Sequence, residues 1–231
     1  MSVNRAARRG PRVLVVGRPG SGKGTHGRRL AQRLGVPHIS TGDLFRATVA
    51  LDTPLGRVLR GYLDAGDLVP DDLVLDVVDN RLAVDGVAAG FVLDGFPRTV
   101  PQAEQLLDLL DPYALDLVLD LVVTPEVALE RLTQRSVCGD CGRSAGPAVT
   151  AEIGPCGDCG GILSVRADDD APTVSRRLAV HDEQTGPLVA WLEDRAVVAR
   201  VDGLGSPDEV ATRIDVACVP LMGADRSDLA S

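Results

Sequence analysis

Residues 17 to 25 read Gly17-Arg18-Pro19-Gly20-Ser21-Gly22-Lys23-Gly24-Thr25, which supplies the parts needed to hold a polyphosphate. The glycines let backbone N–H groups turn inward around phosphate oxygens, and a following helix adds the partial positive charge of its N-terminus. Lys23 offers a mobile point charge for the terminal phosphates. Composition sharpens the reading: of 24 Lys and Arg residues, Lys23 is the only lysine and the other 23 are arginine. An incidental lysine in a Gly-rich helix start does not account for that usage. We read the stretch as a nucleotide-phosphate site.

A second constellation lies in the middle of the chain. Cys138-Gly139-Asp140-Cys141-Gly142 recurs letter for letter as Cys156-Gly157-Asp158-Cys159-Gly160. Two such knuckles give four thiolates that can close a tetrahedral zinc site, and their glycines permit the turns that aim both sulfurs of a pair at one ion. Redox dithiols are the competing reading, but those usually come singly at a helix start after a strand. Four cysteine ligands leave no open position, so the metal is expected to be structural Zn²⁺. The segment is too short and too poor in apolar residues to build its own core, and the ion would stand in for one. Cys218 stands apart and is expected to be a buried hydrophobe.

Both sites need elements to position them. Val13 to Val16 is a short apolar run that reads as a buried parallel strand, and Leu30, Ala31 and Leu34 repeat at helical spacing after the loop. Further strands are expected at Val36 to Ile39, Phe91 to Asp94, Leu115 to Val123 and Val197 to Val201. Helical pieces are expected from Ser40 through about Val84 with breaks at Pro54 and Pro70, from Thr124 to near Arg135, from about Thr173 to Asp194, and from Pro207 to Val216. Strands alternating with helices argue for an α/β domain with a parallel sheet. Composition changes sharply from Ser136 to about Val165, which we read as an insertion. Residues 1 to 10 lack the apolar stretch of a secretory signal and are expected to be a disordered tail, and residues 220 to 231 to be frayed.

At 231 residues the chain is long enough to bury one good core. Its 33 acidic residues against 24 basic ones give a net charge of −9, which argues against nucleic-acid or anionic-membrane binding. No apolar run reaches membrane-spanning length. Paired cysteines of this kind suit a reducing, cytoplasmic location better than an oxidising one.

Taken together the motifs resemble the bacterial adenylate kinases with a long, zinc-bearing lid. The similarity covers about Pro11 to Val216. It rests on the phosphate loop, on Ser40-Thr41-Gly42-Asp43-Leu44-Phe45-Arg46, on Gly90 to Thr99 and on Pro101-Gln102. Arg131 and Arg135 before the insertion, Arg166-Ala167-Asp168-Asp169 after it and Arg177-Leu178 complete the match. The resemblance implies a nucleoside monophosphate kinase fold with a five-stranded parallel sheet, residues 11 to 219 forming the core. Inserted in it would be an AMP-binding segment (40 to 69) and a lid (134 to 169). It also implies a monomer and the reaction ATP + AMP ⇌ 2 ADP with Mg²⁺.

Carried onto this chain, the resemblance places Gly20, Ser21, Gly22, Lys23, Gly24 and Thr25 on the ATP phosphates, with Arg131, Arg135 and Gly205 also at ATP. Thr41, Arg46, the backbone of Asp67, Leu68 and Val69, Gly95, Phe96, Pro97, Arg98, Gln102, Arg166 and Arg177 would hold AMP, with Gln102 reading adenine through its paired donor and acceptor. Asp94 would orient the waters of Mg²⁺. Lys23, Arg98, Arg135, Arg166, Arg177 and Asp94 form the implied catalytic set. The chemistry agrees: a phosphate acceptor is already anionic, so positioning and charge neutralisation suffice and no general base is needed. His26, His38 and His181 are accordingly expected to be surface or packing residues. Asp168 and Asp169 are expected to pair with lid or pre-lid arginines.

The chain departs from the pattern where Ser144-Ala145-Gly146 follow Arg143, a place usually held by an aromatic and often a histidine. This leaves a relaxed donor such as GTP open, alongside UMP or CMP as acceptor. A switch GTPase would need an Asn-Lys-x-Asp guanine reader, which a chain with one lysine at position 23 does not have. A zinc-ribbon nucleic-acid binder is disfavoured by the net charge and by an aromatic content of 3%.

Overall fold

The computed structural model describes residues 10–83, 90–145 and 154–223. Five parallel strands form the central sheet: β1 (Arg12–Gly17), β2 (His38–Ser40), β3 (Phe91–Asp94), β4 (Leu117–Val122) and β8 (Val198–Asp202), in the order β2-β3-β1-β4-β8. Alternate residues of β1 feed opposite faces. Leu14 and Val16 join one core with Phe45, Leu59, Phe91, Leu106 and Leu192, while Val13 and Val15 join the other with Leu30, Leu119, Val210 and Ile214. Both faces are therefore covered, which is why the strands read as unbroken apolar runs. The expected α/β sheet is the one observed.

The helices are α1 (Lys23–Leu34), α2 (Thr41–Ala50), α3 (Pro54–Ala65), α4 (Asp71–Leu82), α5 (Val100–Leu110), α6 (Pro125–Thr133), α7 (Ala171–Val180), α8 (Gly186–Glu193), α9 (Pro207–Ala217) and α10 (Val219–Gly223). Their starts follow local chemistry. Ser40, Thr99 and Thr124 each accept a backbone N–H three residues on, and Ser206 with Glu209 makes a reciprocal capping box. Pro54, Pro101, Pro125 and Pro207 sit in first turns, where the missing N–H costs nothing.

Three differences from expectation have physical causes. The first helix begins at Lys23, because Gly22 at φ 95° caps it directly out of the phosphate loop. The single helix expected from Thr173 to Asp194 is two, α7 and α8, joined by a π-helical turn at His181–Thr185. Pro187 follows that turn; its ring cannot fit regular i→i−4 bonding, and the widened turn accommodates it. The tail expected to fray from residue 220 instead opens with α10. Val84, Gly146, the first nine residues and residues 224 to 231 lie outside the described residues.

The inserted segment makes its own small antiparallel sheet. Strand β5 (Ser136–Cys138) pairs with β6 (Ser144–Ala145) on one side and β7 (Leu163–Val165) on the other. Among the described residues no helix is long and apolar enough to cross a membrane.

Candidate active site

The connection from β1 runs to β2 on one side of it and that from β3 runs to β4 on the other, so a crevice opens beyond the C-terminal ends of the strands. A cavity of about 1100 Å³ fills it. The phosphate loop forms its floor at the end of β1. Two of its glycines are required by close approach: Gly17 (φ 132°) would put a Cβ 2.4 Å from the Leu121 carbonyl, and Gly20 (φ 84°) one 2.6 Å from the Ala128 carbonyl. Lys23 folds back over the loop, its Nζ donating to the carbonyls of Gly17 (2.7 Å) and Arg18 (2.8 Å). Burial lowers its ammonium to about 8; Asp94 opposes the shift, while Arg98, Arg177 and Arg135 add to it.

Opposite the loop, arginines from five separate elements converge. Arg46 (α2), Arg98 (after β3), Arg135 (after α6), Arg166 (after β7) and Arg177 (α7) all border the cavity. Carboxylates hold them in place. Asp169, its side chain fully buried, accepts from Arg135 Nε (2.8 Å) and Nη2 (2.6 Å) and from Arg177 Nη1 (3.0 Å). Asp168 lies 3.3 Å from Arg177 and 3.9 Å from Arg46. Asp43 binds Arg46 at 2.6 Å and faces Arg28 and Arg166 at 3.7 and 3.8 Å. The expectation that Asp168 and Asp169 pair with lid or pre-lid arginines holds for Asp169 with Arg135, whereas Asp168 faces Arg177 of α7 and Arg46 of α2.

The balance is unequal. Lys23 and the five arginines face Asp43, Asp94, Asp168 and Asp169, so the cavity carries surplus positive charge in a protein of net charge −9. Burial and the neighbouring Arg177 lower Arg98 to about 10, and burial with Arg46 and Arg135 lowers Arg166 to about 9. Arginine keeps its proton at ordinary pH. The direction of these shifts reports desolvated cations short of counter-ions. A bound polyanion would supply them.

Beside β3, Gly95 (φ 85°), Pro97 and Arg98 border the cavity, and Arg98 Nε donates to the Gly95 carbonyl at 2.8 Å. Leu68 borders it too. Thr41, Val69, Phe96 and Gln102 are buried and do not. Thr41 Oγ1 reaches the Asp94 carbonyl at 3.4 Å, next to Gly95. Gln102 Oε1 accepts from the Arg98 N–H (2.8 Å), and its Nε2 donates to Asp71 (2.6 Å). Asp67 pairs with Arg176 at 2.8 Å on the surface. At the other end of the cavity Arg131 donates to the carbonyls of Gly203 (2.9 Å) and Gly205 (3.4 Å), fixing the loop between β8 and α9.

The four cysteines meet as their repeated spelling suggests. Cys138 and Cys156 N–H groups bond Arg143 and Gly161 carbonyls, and Gly142 (φ 68°) and Gly160 (φ 75°) close two matching turns. All four sulfurs lie within 4.8 Å of one another, with Cys138–Cys159 at 3.5 Å and Cys141–Cys156 at 3.6 Å. Those separations are too long for disulfides. A tetrahedral zinc with sulfurs at about 2.3 Å sets them about 3.8 Å apart, so the donor set fits that ion.

The family model described as adenylate kinase matches residues 15–197. The chain is 46% identical over 208 residues to an adenylate kinase of Acidothermus cellulolyticus, covering 87% of this chain and 95% of that one. It is 44% identical over 197 residues to the Bacillus subtilis enzyme of the same name, covering 83% and 90%. The chain belongs to the adenylate kinase family. The five-stranded parallel sheet is the fold of that family's nucleoside monophosphate kinases, and the four-cysteine cluster fits its zinc-lid type.

Within this adenylate kinase fold, Asp43, Asp71 and Asp182 hold partners that the sequence motifs alone do not indicate. Asp43 stands in the Ser40 to Arg46 motif, so its type and place are visible in the sequence while its partners are not. Asp182, in the π-helical turn, binds Arg18 Nε at 2.9 Å, and Arg18 also donates to the Val123 carbonyl. Cys218 is fully buried, as expected. His26 is buried too and His38 half-buried; His26 and His181 both border the cavity, and burial lowers His181 to about 4, a poor base at neutral pH.

Proposed function

We propose that the protein is a phosphotransferase that moves the γ-phosphoryl group of ATP to AMP, reversibly, giving two ADP. The observation that carries this reading is a phosphate loop facing five arginines across one cavity. In-line transfer between two phosphates needs such an arrangement and little else. Gly20 to Thr25 would receive the donor phosphates on backbone N–H groups, with Lys23 leaving the Gly17 and Arg18 carbonyls to follow them. Arg98, Arg135, Arg166 and Arg177 would grip the transferring group and acceptor phosphate, whose charge spreads over equatorial oxygens in the transition state.

Asp94 suits the water shell of Mg²⁺: it is buried at the end of β3, and a Cβ on Gly24 of the loop would lie 3.5 Å from its carboxylate. When bound, Mg²⁺ neutralises charge on the donor phosphates. Zn²⁺ on Cys138, Cys141, Cys156 and Cys159 would hold the inserted sheet rigid. Residues 134 to 169 would then act as a lid that excludes water and delivers Arg135 and Arg166. Residues 40 to 69 would receive AMP through Thr41, Arg46 and the Asp67 to Val69 backbone, beside Gly95, Phe96 and Pro97. Arg131 and Gly205 would border the donor base. Gln102 would read adenine with the N–H and the carbonyl lone pair that Asp71 and Arg98 leave unused.

The test is ADP formation from Mg·ATP with AMP, UMP, CMP or GMP as acceptor, repeated with GTP as donor. Turnover with AMP is the expected result. Turnover with a pyrimidine acceptor alone would overturn the role of Gln102, and silence with all four would overturn the reading.

A further inference from the structure

His26 follows the phosphate loop directly and lies in the first turn of α1. The residue is 6% exposed. Among the described residues neither ring nitrogen has a hydrogen-bond partner; Nδ1 is sealed from solvent and unpaired. The opposite edge faces the loop, where a Cβ on Gly22 would come 3.0 Å from Cδ2 and 3.4 Å from Nε2. The ring borders the nucleotide cavity. The sealed Nδ1 stays unpaired whatever binds, so the nitrogen that a molecule in the cavity can partner is Nε2, the one not sealed.

The ring's charge limits what the partner can be. Burial first, then the charges of Arg29 and Arg131, lower His26 to about 4, so it is neutral at ordinary pH. A neutral imidazole is a poor holder of phosphate but a good partner for a hydroxyl. A nucleotide runs from phosphate through ribose to base. With phosphates on the loop and the base toward Arg131 and Gly205, the ribose would lie between them; His26 follows the loop, borders the same cavity and sits close enough to Arg131 to feel its charge.

We infer that His26 Nε2 binds a hydroxyl of the donor nucleotide's ribose and so positions the donor. A ribose hydroxyl both donates and accepts, so it suits either tautomer of the ring. The inference rests on the reading of the loop as the donor site.

The experiment compares ATP, 2′-deoxy-ATP and 3′-deoxy-ATP as donors, at saturating AMP, for the wild type, His26→Ala and His26→Gln. The wild type should disfavour at least one deoxy donor by about threefold to tenfold in kcat/KM, the range one neutral hydrogen bond carries. His26→Ala should lose that discrimination and raise KM for ATP by a similar factor while KM for AMP holds. His26→Gln, whose amide nitrogen can reach the place of the ring Nε2, should regain it. A wild type indifferent to both deoxy donors, or His26→Ala discriminating as the wild type does, would overturn the inference and leave the phosphotransferase reading standing. If His26→Ala does not fold, His26→Gln decides: discrimination kept supports the contact, and discrimination lost with KM for ATP unchanged overturns it. A wild type inert with all three donors would overturn both readings together.

Discussion

Replacing Asp169 with asparagine keeps the side chain's shape and removes its charge. The fully buried carboxylate is the shared counter-ion of Arg135 and Arg177, accepting three hydrogen bonds of 2.6 to 3.0 Å from them. The substitution leaves two guanidiniums facing an amide, one of whose oxygen positions becomes an N–H₂ donor. Removing one partner of a buried ion pair costs about 3–5 kcal/mol. The Arg135 and Arg177 side chains keep 17% and 19% exposure, so water offsets part of the loss and the lower end, about 3 kcal/mol, is expected. In a domain of this size each kcal/mol moves Tm by about 2–4 °C, so Tm should fall by about 6–12 °C. A calorimetric melt at fixed zinc measures it. The same melt with tripolyphosphate provides a second reading: the variant's cavity is more cationic, so the polyanion should stabilise it more than the wild type. A Tm within about 2 °C of wild type would refute the claim that Asp169 holds the arginines in place.

Two further predictions follow from the same geometry. Lys23 ionises near 8 in the folded, ligand-free protein, so kcat/KM for ATP should fall as pH rises through 8, while kcat should hold to higher pH because bound phosphate restores the charge. An unfolded lysine keeps its proton to about 10.5, so this group's contribution to stability rises between pH 8 and 10.5, and a circular-dichroism melt should separate the loss of activity from unfolding. Stripping zinc with a chelator should raise hydrogen exchange across residues 136–138 and 163–165 and leave β1 protected; unchanged exchange in the inserted sheet would count against a structural metal.

How much of this was legible in the sequence depends on the range of the interaction. The phosphate loop, the five strands and the cysteine knuckles are local patterns, in which neighbours in sequence set geometry, and they appear where the residues indicate. Helix α5 is legible too, from Thr99 as cap and Ala103, Leu106 and Leu110 at helical spacing, though it is not among the helices expected above. The strands of the inserted sheet, two or three residues each, are too short for any periodicity to show. The pairing of Asp169 with Arg135, the engagement of Gln102 by Asp71, and the hold of Arg131 on the Gly203 carbonyl join residues 31 to 72 positions apart, and only the folded chain brings them together. The unpartnered ring of His26 is of the same kind, since the lack of a neighbour is invisible in a string of letters.

The central claim is that this cavity passes a phosphoryl group from one nucleotide to another by charge and position. Its most direct test uses ATP labelled in the γ-phosphate, mixed with AMP, Mg²⁺ and either wild-type protein or Lys23→Met. The wild type should place the label in the β-phosphate of ADP formed from AMP. Lys23→Met should slow that transfer by about a hundredfold or more, the scale of losing one charge contact to the transition state, with Tm not lowered because the desolvated ammonium is gone. Label appearing as free phosphate in the wild type, or transfer unimpaired in Lys23→Met, would contradict the account.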